Sequence, residues 1–424
     1  MATAAESVDT LNRWRLETPE PKNWEGGIRA SDPNKYFIVS VDTHMAAPPK
    51  LFFERIEERF RDRLPRMQVK DGVKFLIQEG CKPQPIIDSP LAGEDKSRGD
   101  AGATFFQIEM LEGNAWGPDA YRRIEDQKND GVDAEVIFAN GPPLLLFASE
   151  DSEFVQAQAR VWNDWVMEAC SPDLGRLNPA AMVGTADVDS AVKEIERVAK
   201  KGFRTVFFPN KPMFGPAKVG EPNYNLPMFD PLWAAIQDND LALAFHVSTG
   251  TDPRTARGNG GAIINYAVYC MLSVAYPVAH LCSSGVFERF PKLRVASIEA
   301  NAGWIPFLLD SMDEAARKHH MWVSPKLQGL PSDYFRSNCY ASFGEDKVAM
   351  MLAEEYGLVD NLMWANDYPH HEGSWPHSAE AIERNFGDRF SEDARRKMLG
   401  LNAAKVFRFD IPERYSELTK LTGK

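Results

Sequence analysis

Residues 36–44 read YFIVSVDTH: from Tyr36 to Val41 all but Ser40 are apolar, aromatic or β-branched, and then come Asp42, Thr43 and His44. A run this short and this rich in β-branched side chains favours a buried strand. Seven further runs of the same kind follow: AEVIFA (134–139), AAMV (180–183), TVFF (205–208), LALAFHV (241–247), LRVASI (293–298), CYAS (339–342) and LMWA (362–365). Helical patterns lie between most neighbours, for instance over 153–170 and over 190–201, where Val192, Ile195 and Val198 share one face. Alternating strands and amphipathic helices predict parallel βα units, and eight of them predict an α/β, TIM-type (β/α)8 barrel. An open doubly wound sheet would normally carry a glycine fingerprint beside its first strand, and this chain has none there.

Two regions break the rhythm. Residues 1–35 are polar, with prolines at 19, 21 and 33, and read as an N-terminal arm. The barrel is expected over 36–410, with 411–424 as a C-terminal tail. Residues 50–132 are too long for one connection and predict a cap inserted between the first two barrel strands. Within it Val73–Ile77 and Pro85–Ile87 are expected to pair as a hairpin, and Phe105, Phe106, Trp116 and Tyr121 give it the character of a lid.

The 424 residues carry 61 acidic against 48 basic side chains, a formal charge of −13. That balance argues against a nucleic-acid partner, which needs clustered cations. No apolar run is seen that approaches the ~18 residues of a membrane span. The segment from Met1 to Leu11 lacks the apolar core of a signal peptide. The five cysteines are scattered and never form a C-x-x-C pair, so they read as reduced thiols. A cytoplasmic protein acting on a small molecule, with no membrane or nucleic-acid partner, is the expectation.

Active sites of such barrels lie at the C-terminal strand ends. The first strand ends in Asp42-x-His44, and alternate strand residues point to one side. The fifth run ends in His246 and the eighth in Asp367. Two imidazoles and two carboxylates suit a divalent transition metal, zinc first and manganese or iron next. The second and fourth strands end in Asn140 and Asn210, which add no carboxylate, so one ion is expected rather than two. Glu299 ends the sixth strand, where burial would raise its pKa into acid–base range. Asp367 and Glu299 are the candidate proton carriers, with His370 in Asp367-Tyr-Pro-His-His371 as a third catalytic candidate. His280, Trp304 and Trp375 are candidates for the substrate pocket, and Arg254 in the glycine-rich stretch 248–261 for clamping a carboxylate.

These segments resemble the amidohydrolase superfamily, in its amidohydrolase-related branch of aminocarboxymuconate-semialdehyde and resorcylate-type decarboxylases and related hydrolases. The likeness runs from about Tyr36 to Asp410 through SVDTHMAAPP (40–49), DGVDAEVIF (130–138), KKGFRTVFFP (200–209), SGVFERFPKLRV (284–295), EANAGWIPFLLDSMDE (299–314), NDYPHHEGSWP (366–376) and LNAAKVF (401–407). The resemblance implies the barrel, metal ligands at Asp42 or His44, His246 and Asp367, and a homodimer. The sequence departs from the family at two places. The first ligand motif, usually His-x-His or Glu-x-His, is Asp42-Thr43-His44. The family's decarboxylases typically place a catalytic histidine at the end of strand six, where this chain has Glu299 and no histidine. The second departure puts a hydrolase first, activating water to cleave a C–N, ester-like or similar acyl bond of an aromatic or bulky apolar substrate. A metal-dependent, non-oxidative decarboxylase of an aromatic or unsaturated acid comes second, and a catalytically inactive binding protein third.

Overall fold

A computed structural model describes residues 36–85, 119–251, 256, 259–370 and 373–415. The barrel strands are β1 (Val39–Met45), β5 (Ala134–Ala139), β6 (Leu177–Met182), β7 (Thr205–Phe208), β8 (Ala242–His246), β9 (Arg294–Ile298), β10 (Cys339–Phe343) and β11 (Leu362–Trp364), hydrogen-bonded as neighbours in that order. Every ladder between them is parallel. All residues of β5, β6, β7 and β8 are buried, which is why these strands read as unbroken apolar runs.

The helices used below are α1 (Ala120–Asn129), α2 (Ser152–Cys170), α3 (Val188–Lys200), α4 (Asp230–Asp238), α5 (Met271–Ser283), α6 (Ile305–Lys318), α7 (Pro331–Asn338) and α8 (Ser378–Phe386). The first three begin at an aspartate whose side chain accepts from backbone N–H groups of the first turn: Asp119, Asp151 and Asp187. Such caps set where each helix departs from its loop.

β1 reaches Met45, four residues beyond the expected end, so Asp42 and His44 sit within the strand. Its register against β5 shifts between Ser40 and Thr43, at the ligand-bearing stretch. Irregularities of this kind re-aim side chains beside active sites.

The expected antiparallel pairing of Val73–Ile77 with the run at Pro85 forms, through Phe75 opposite Pro85, and a further strand joins it. The insertion is thus a three-stranded antiparallel sheet of β2 (Arg66–Lys70), β3 (Val73–Ile77) and β4 (Gln84–Pro85). Asp71 and Gly72 join β2 to β3 with φ of 52° and 79°, the left-handed pair that a tight hairpin requires. β2 is exposed along its whole length, and its RMQVK pattern hid it. Of the lid aromatics, Tyr121 is an exposed residue of α1, while Phe105, Phe106 and Trp116 lie outside the described residues, as do the 1–35 arm and the tail from 416.

One helical stretch, Asn265–Ser283, is long and apolar enough by length and composition to cross a membrane, contrary to the expectation that no segment would be. A π-helical turn (Asn265–Cys270) runs into α5, which packs on the barrel through Val274, Pro277, Val278 and Leu281.

Candidate metal centre and active site

The strand ends bring six of the expected side chains together. Asp42, His44, His246 and Glu299 each present a donor atom within 4.8 Å of the others, and His44, Asp367 and His370 form an overlapping group. His44 and His246 are fully buried and Asp42 nearly so.

Each imidazole is oriented from behind. His44 donates from Nδ1 to the Ala139 carbonyl (3.0 Å), and His246 from Nδ1 to the Val247 carbonyl (2.9 Å). Both Nε2 atoms are thereby left facing the cluster. The backbone carbonyl of His246 accepts from Asn210 Nδ2 and Thr249 Oγ1, each at 2.8 Å. The turn residues around the mouth are themselves conformationally selected: Ser248, Glu299, Asn301 and Asp367 have φ of 69°, 68°, 54° and 53°. Left-handed φ at non-glycine residues is costly and concentrates at functional sites.

Three carboxylates surround the two rings. His246 Nε2 stands 2.9 Å from Glu299 Oε2 and 3.3 Å from Asp42 Oδ1. His44 Nε2 lies 3.3 Å from Asp367 Oδ1, 3.4 Å from Asp42 Oδ1 and 3.8 Å from Glu299 Oε2. It is buried without a satisfied hydrogen bond. An imidazole lone pair aimed at carboxylate oxygens is repelled unless a cation or proton lies between them, and this donor set fits a divalent metal.

The electrostatics agree. Burial pushes the Asp42 carboxyl up, but the hydrogen bond from His246 and the positive charge of His246 and His44 outweigh it and hold it well below the usual carboxylate range. Burial lowers both histidines, yet Asp367 and Asp42 raise His44 well above its ordinary value, and Glu299 with Asp42 lifts His246 to about 10. Glu299 moves upward, chiefly through burial, against the pull of His246 and with the help of Asp367 and Asp42.

His370 joins the site from the loop after β11. Its Nδ1 donates to Asp367 Oδ1 (2.8 Å), Nε2 lies 3.3 Å from Asn140 Oδ1, and its ring stacks on His44 with centroids 4.0 Å apart. Asn140 was visible only as a strand-end residue without a charge. Glu299 N donates to Ser342 Oγ (2.9 Å), a contact that sequence reasoning missed.

The remaining candidates stand elsewhere. His280 lies on α5 with its ring against Tyr276, and burial, then Lys211, lowers its pKa to about 4. Trp304 Nε1 donates to the Asn301 carbonyl and braces the turn after Glu299. Trp375 packs edge-on against Tyr368 in the loop after β11. Arg254 falls outside the described residues. A cavity of about 1030 Å³ opens between the inserted sheet and the loops after β5, β6 and β7, lined by residues such as Cys81, Phe147, Gln156 and Met213, and none of the six clustered side chains borders it.

The family model described as amidohydrolase matches residues 41–409. The chain belongs to the amidohydrolase family. Among curated proteins, this amidohydrolase is 23% identical over 318 residues to the gamma-resorcylate decarboxylase of Rhodococcus jostii (strain RHA1), spanning 69% of this chain and 88% of that one. An amidohydrolase from Mycobacterium avium subsp. paratuberculosis K-10 superposes with a TM-score of 0.70 at 19% identity, over 90% of this chain and 99% of that one. The 5-carboxyvanillate decarboxylase of Sphingomonas paucimobilis gives 0.60 at 21% identity, over 89% and 100%. The dihydroxybenzoic acid decarboxylase of Polaromonas sp. JS666, solved with manganese and 2-nitroresorcinol, gives 0.56 at 17% identity, over 89% and 99%. At these identities the solved structures establish the barrel, and the family assignment rests on the sequence match.

Proposed function

We propose that this amidohydrolase is a metal-dependent, non-oxidative decarboxylase of a hydroxylated aromatic acid, which reverses the order expected from the sequence. The observation that carries the reading is the placement of Glu299: a half-buried carboxyl, 18% exposed, 2.9 Å from His246 Nε2, among the candidate metal ligands. Burial drives it toward the protonated form, so it can deliver a proton to carbon. The missing strand-six histidine then no longer argues against decarboxylation, because Glu299 fills its role. The resorcylate decarboxylase relative supports the same chemistry.

Asp42, His44, His246 and Asp367 would hold one divalent ion, with manganese ahead of zinc because oxygen donors are as numerous as nitrogen donors and a neighbour holds manganese. When bound, the metal supplies Lewis-acid polarisation of substrate oxygens. Glu299 transfers its proton to the ring carbon that bears the carboxylate. The bond from that carbon to the carboxylate then breaks, its electron pair returns to the ring, and CO₂ leaves. Glu299 is left as a carboxylate and recovers a proton from solvent. His370, held by Asp367 and Asn140, is placed to orient a substrate oxygen. Trp304 and Trp375 brace the loops that carry Glu299 and Asp367. The working unit is proposed to be a homodimer.

Hydrolysis stays the second reading, because an ionised Glu299 beside a metal would serve equally well as a base toward water. A CO₂-release assay on 2,6-dihydroxybenzoate and 5-carboxyvanillate, run beside an amide and ester panel, separates the two. Decarboxylation predicts CO₂ release, with deuterium at the product ring carbon in D₂O. Acid release from the amide and ester panel without CO₂ would sink it. Glu299→Gln should lower kcat about 10²- to 10⁴-fold while metal content stays at one per chain. Unchanged turnover would remove Glu299 from the mechanism.

A further inference from the structure

The barrel is not closed by a regular ladder. Among the described residues β1 is bridged to the loop after β11 at one place, Thr43–Tyr368, through His44 N to the Tyr368 carbonyl (2.7 Å), with Asp367 N donating to the Asp42 carbonyl (3.1 Å). Both edges of this seam carry metal-ligand candidates: Asp42 and His44 on one side, Asp367 on the other.

Behind the seam lies a buried polar network that no step of the proposed reaction uses, and it comes from α1. Arg123 donates from Nη1 to the His44 carbonyl (2.6 Å) and from Nε and Nη2 to the Glu135 carboxylate of β5 (2.6 and 3.2 Å), and its guanidinium lies 4.8 Å from the centre of the Tyr368 ring. Tyr368 in turn donates its hydroxyl to Asp126 (2.8 Å). Gln127 donates to Glu135 (2.6 Å) and accepts from Asn366 Nδ2 (3.0 Å), which also reaches Asp130 (3.2 Å). Asn366 Oδ1 accepts from Ser40 of β1 (2.8 Å). All of these side chains are buried. The network touches the backbone on both sides of the seam, at His44 and at 366–368, immediately beside the ligands.

We propose that α1, through Arg123, Asp126 and Gln127 together with Asp130 at its C-terminal cap, closes the barrel at its metal-bearing seam, and that Arg123 is a positioning residue for the metal. The inference rests on the metal site proposed above. A cation drawing donors from β1 and from the β11 loop is bound only when the seam is shut, so its affinity contains the free energy of closing. A buried pair such as Arg123–Glu135 adds little net stability but fixes one arrangement, which is what two ligand sets on different strands require.

The closing experiment follows hydrogen exchange of the wild-type chain, stripped with chelator and then loaded with Mn²⁺. Segments 39–45, 365–370 and 119–130 should slow together, although no α1 side chain is among the clustered donors. Unchanged exchange over 119–130 with protection of the other two would overturn the proposal. Arg123→Met with Glu135→Leu removes both charges and should weaken the Mn²⁺ Kd at least tenfold with cooperative unfolding retained. Tyr368→Phe, which loses only the hydroxyl on Asp126, should weaken it about threefold, and Arg123→Lys should fall between wild type and the double variant. A lowered Tm with Kd within twofold of wild type in the folded variants means a merely structural role and defeats the proposal. Should the double variant not fold, Tyr368→Phe and the wild-type exchange data decide. A wild-type chain that binds no Mn²⁺ overturns the metal site as well, and the same titration distinguishes that result.

Discussion

His246 faces a demand that either a proton or a metal cation meets. Burial disfavours its protonated form, but Glu299 and Asp42 pull its pKa up to about 10, so without metal the ring is an imidazolium at neutral pH. His44 is raised too, by Asp367 and Asp42. A metal needs both rings neutral, so its binding must release protons. Each displaced proton weakens apparent affinity about tenfold per pH unit on descending below the histidine pKa. We therefore expect the logarithm of the Mn²⁺ affinity to rise with pH at a slope between about one and two from pH 6 to 9, and competition titration will show it. A flat profile would mean that the rings are not ligands. The metal-free fold should respond in the opposite sense. His246 is raised above its ordinary 6.5, so its contribution to stability is complete below that pH and is lost as pH climbs through about 10. At this scale the sequence was informative wherever a titratable residue ended an apolar run, as at His44, His246 and Glu299. It was silent on Arg123, although Glu135 inside the apolar run AEVIFA already implied a buried cation. Which residue supplied it depended on a helix packed across the seam, and no spacing rule reaches that far.

The loop after β11 has to deliver Asp367 and His370 in one conformation, and its backbone is folded tightly to do so. His370 N donates to the Asp367 carbonyl (2.8 Å), Gly373 N to the His370 carbonyl (3.1 Å) and Ser374 N to the Asn366 carbonyl (2.9 Å). A Cβ at Gly373 would stand 2.3 Å from the Asn366 oxygen, 2.9 Å from that of Asp367 and 3.1 Å from that of His370. Backbone carbonyls cannot swing aside as a flexible side chain does, so Gly373→Ala must move the ligand loop itself. Overpacking of this kind costs about 1–3 kcal/mol. We expect a lower melting temperature and a loss of Mn²⁺ affinity of about tenfold or more, measured by thermal melts and titration, and an unchanged affinity would show the loop to be more yielding than its geometry implies. Among the elements, strands buried on both faces were legible because their whole length is apolar, to within a few residues at each end. β2 was not, because its alternation of Met67 and Val69 with polar residues spans only five positions and buries neither face. Its Asp71–Gly72 turn was the better signal.

For the whole molecule, eight βα units could be counted from the sequence because each strand buries both faces. The manner of closure could not be, since the seam is held by a single backbone bridge and a set of buried side chains rather than by a regular ladder. The expected homodimer is a separate matter, and one helix bears on it. A helix that is apolar on every side is normally buried. The stretch Asn265–Ser283 has that character but is only one third buried in the isolated chain. Tyr266, Tyr269, Leu272 and Tyr276 are each more than a third exposed, and Ile263 one turn earlier is three-quarters exposed. Tyr269, Leu272 and Tyr276 follow a three- and four-residue spacing, so they form a stripe on the side away from the core. Exposed apolar stripes of this size mark association surfaces, and two-fold pairs of identical chains are the commonest soluble assembly. We therefore expect light scattering at micromolar concentration to give twice the chain mass. Leu272→Glu combined with Tyr276→Glu should yield the single-chain mass with metal content unchanged, because neither residue is among the clustered donors. A monomeric wild type would refute the dimer. A dimer that survives both substitutions would place its interface on another face, and a wild-type chain that partitions into lipid vesicles would assign the stripe to a membrane surface instead.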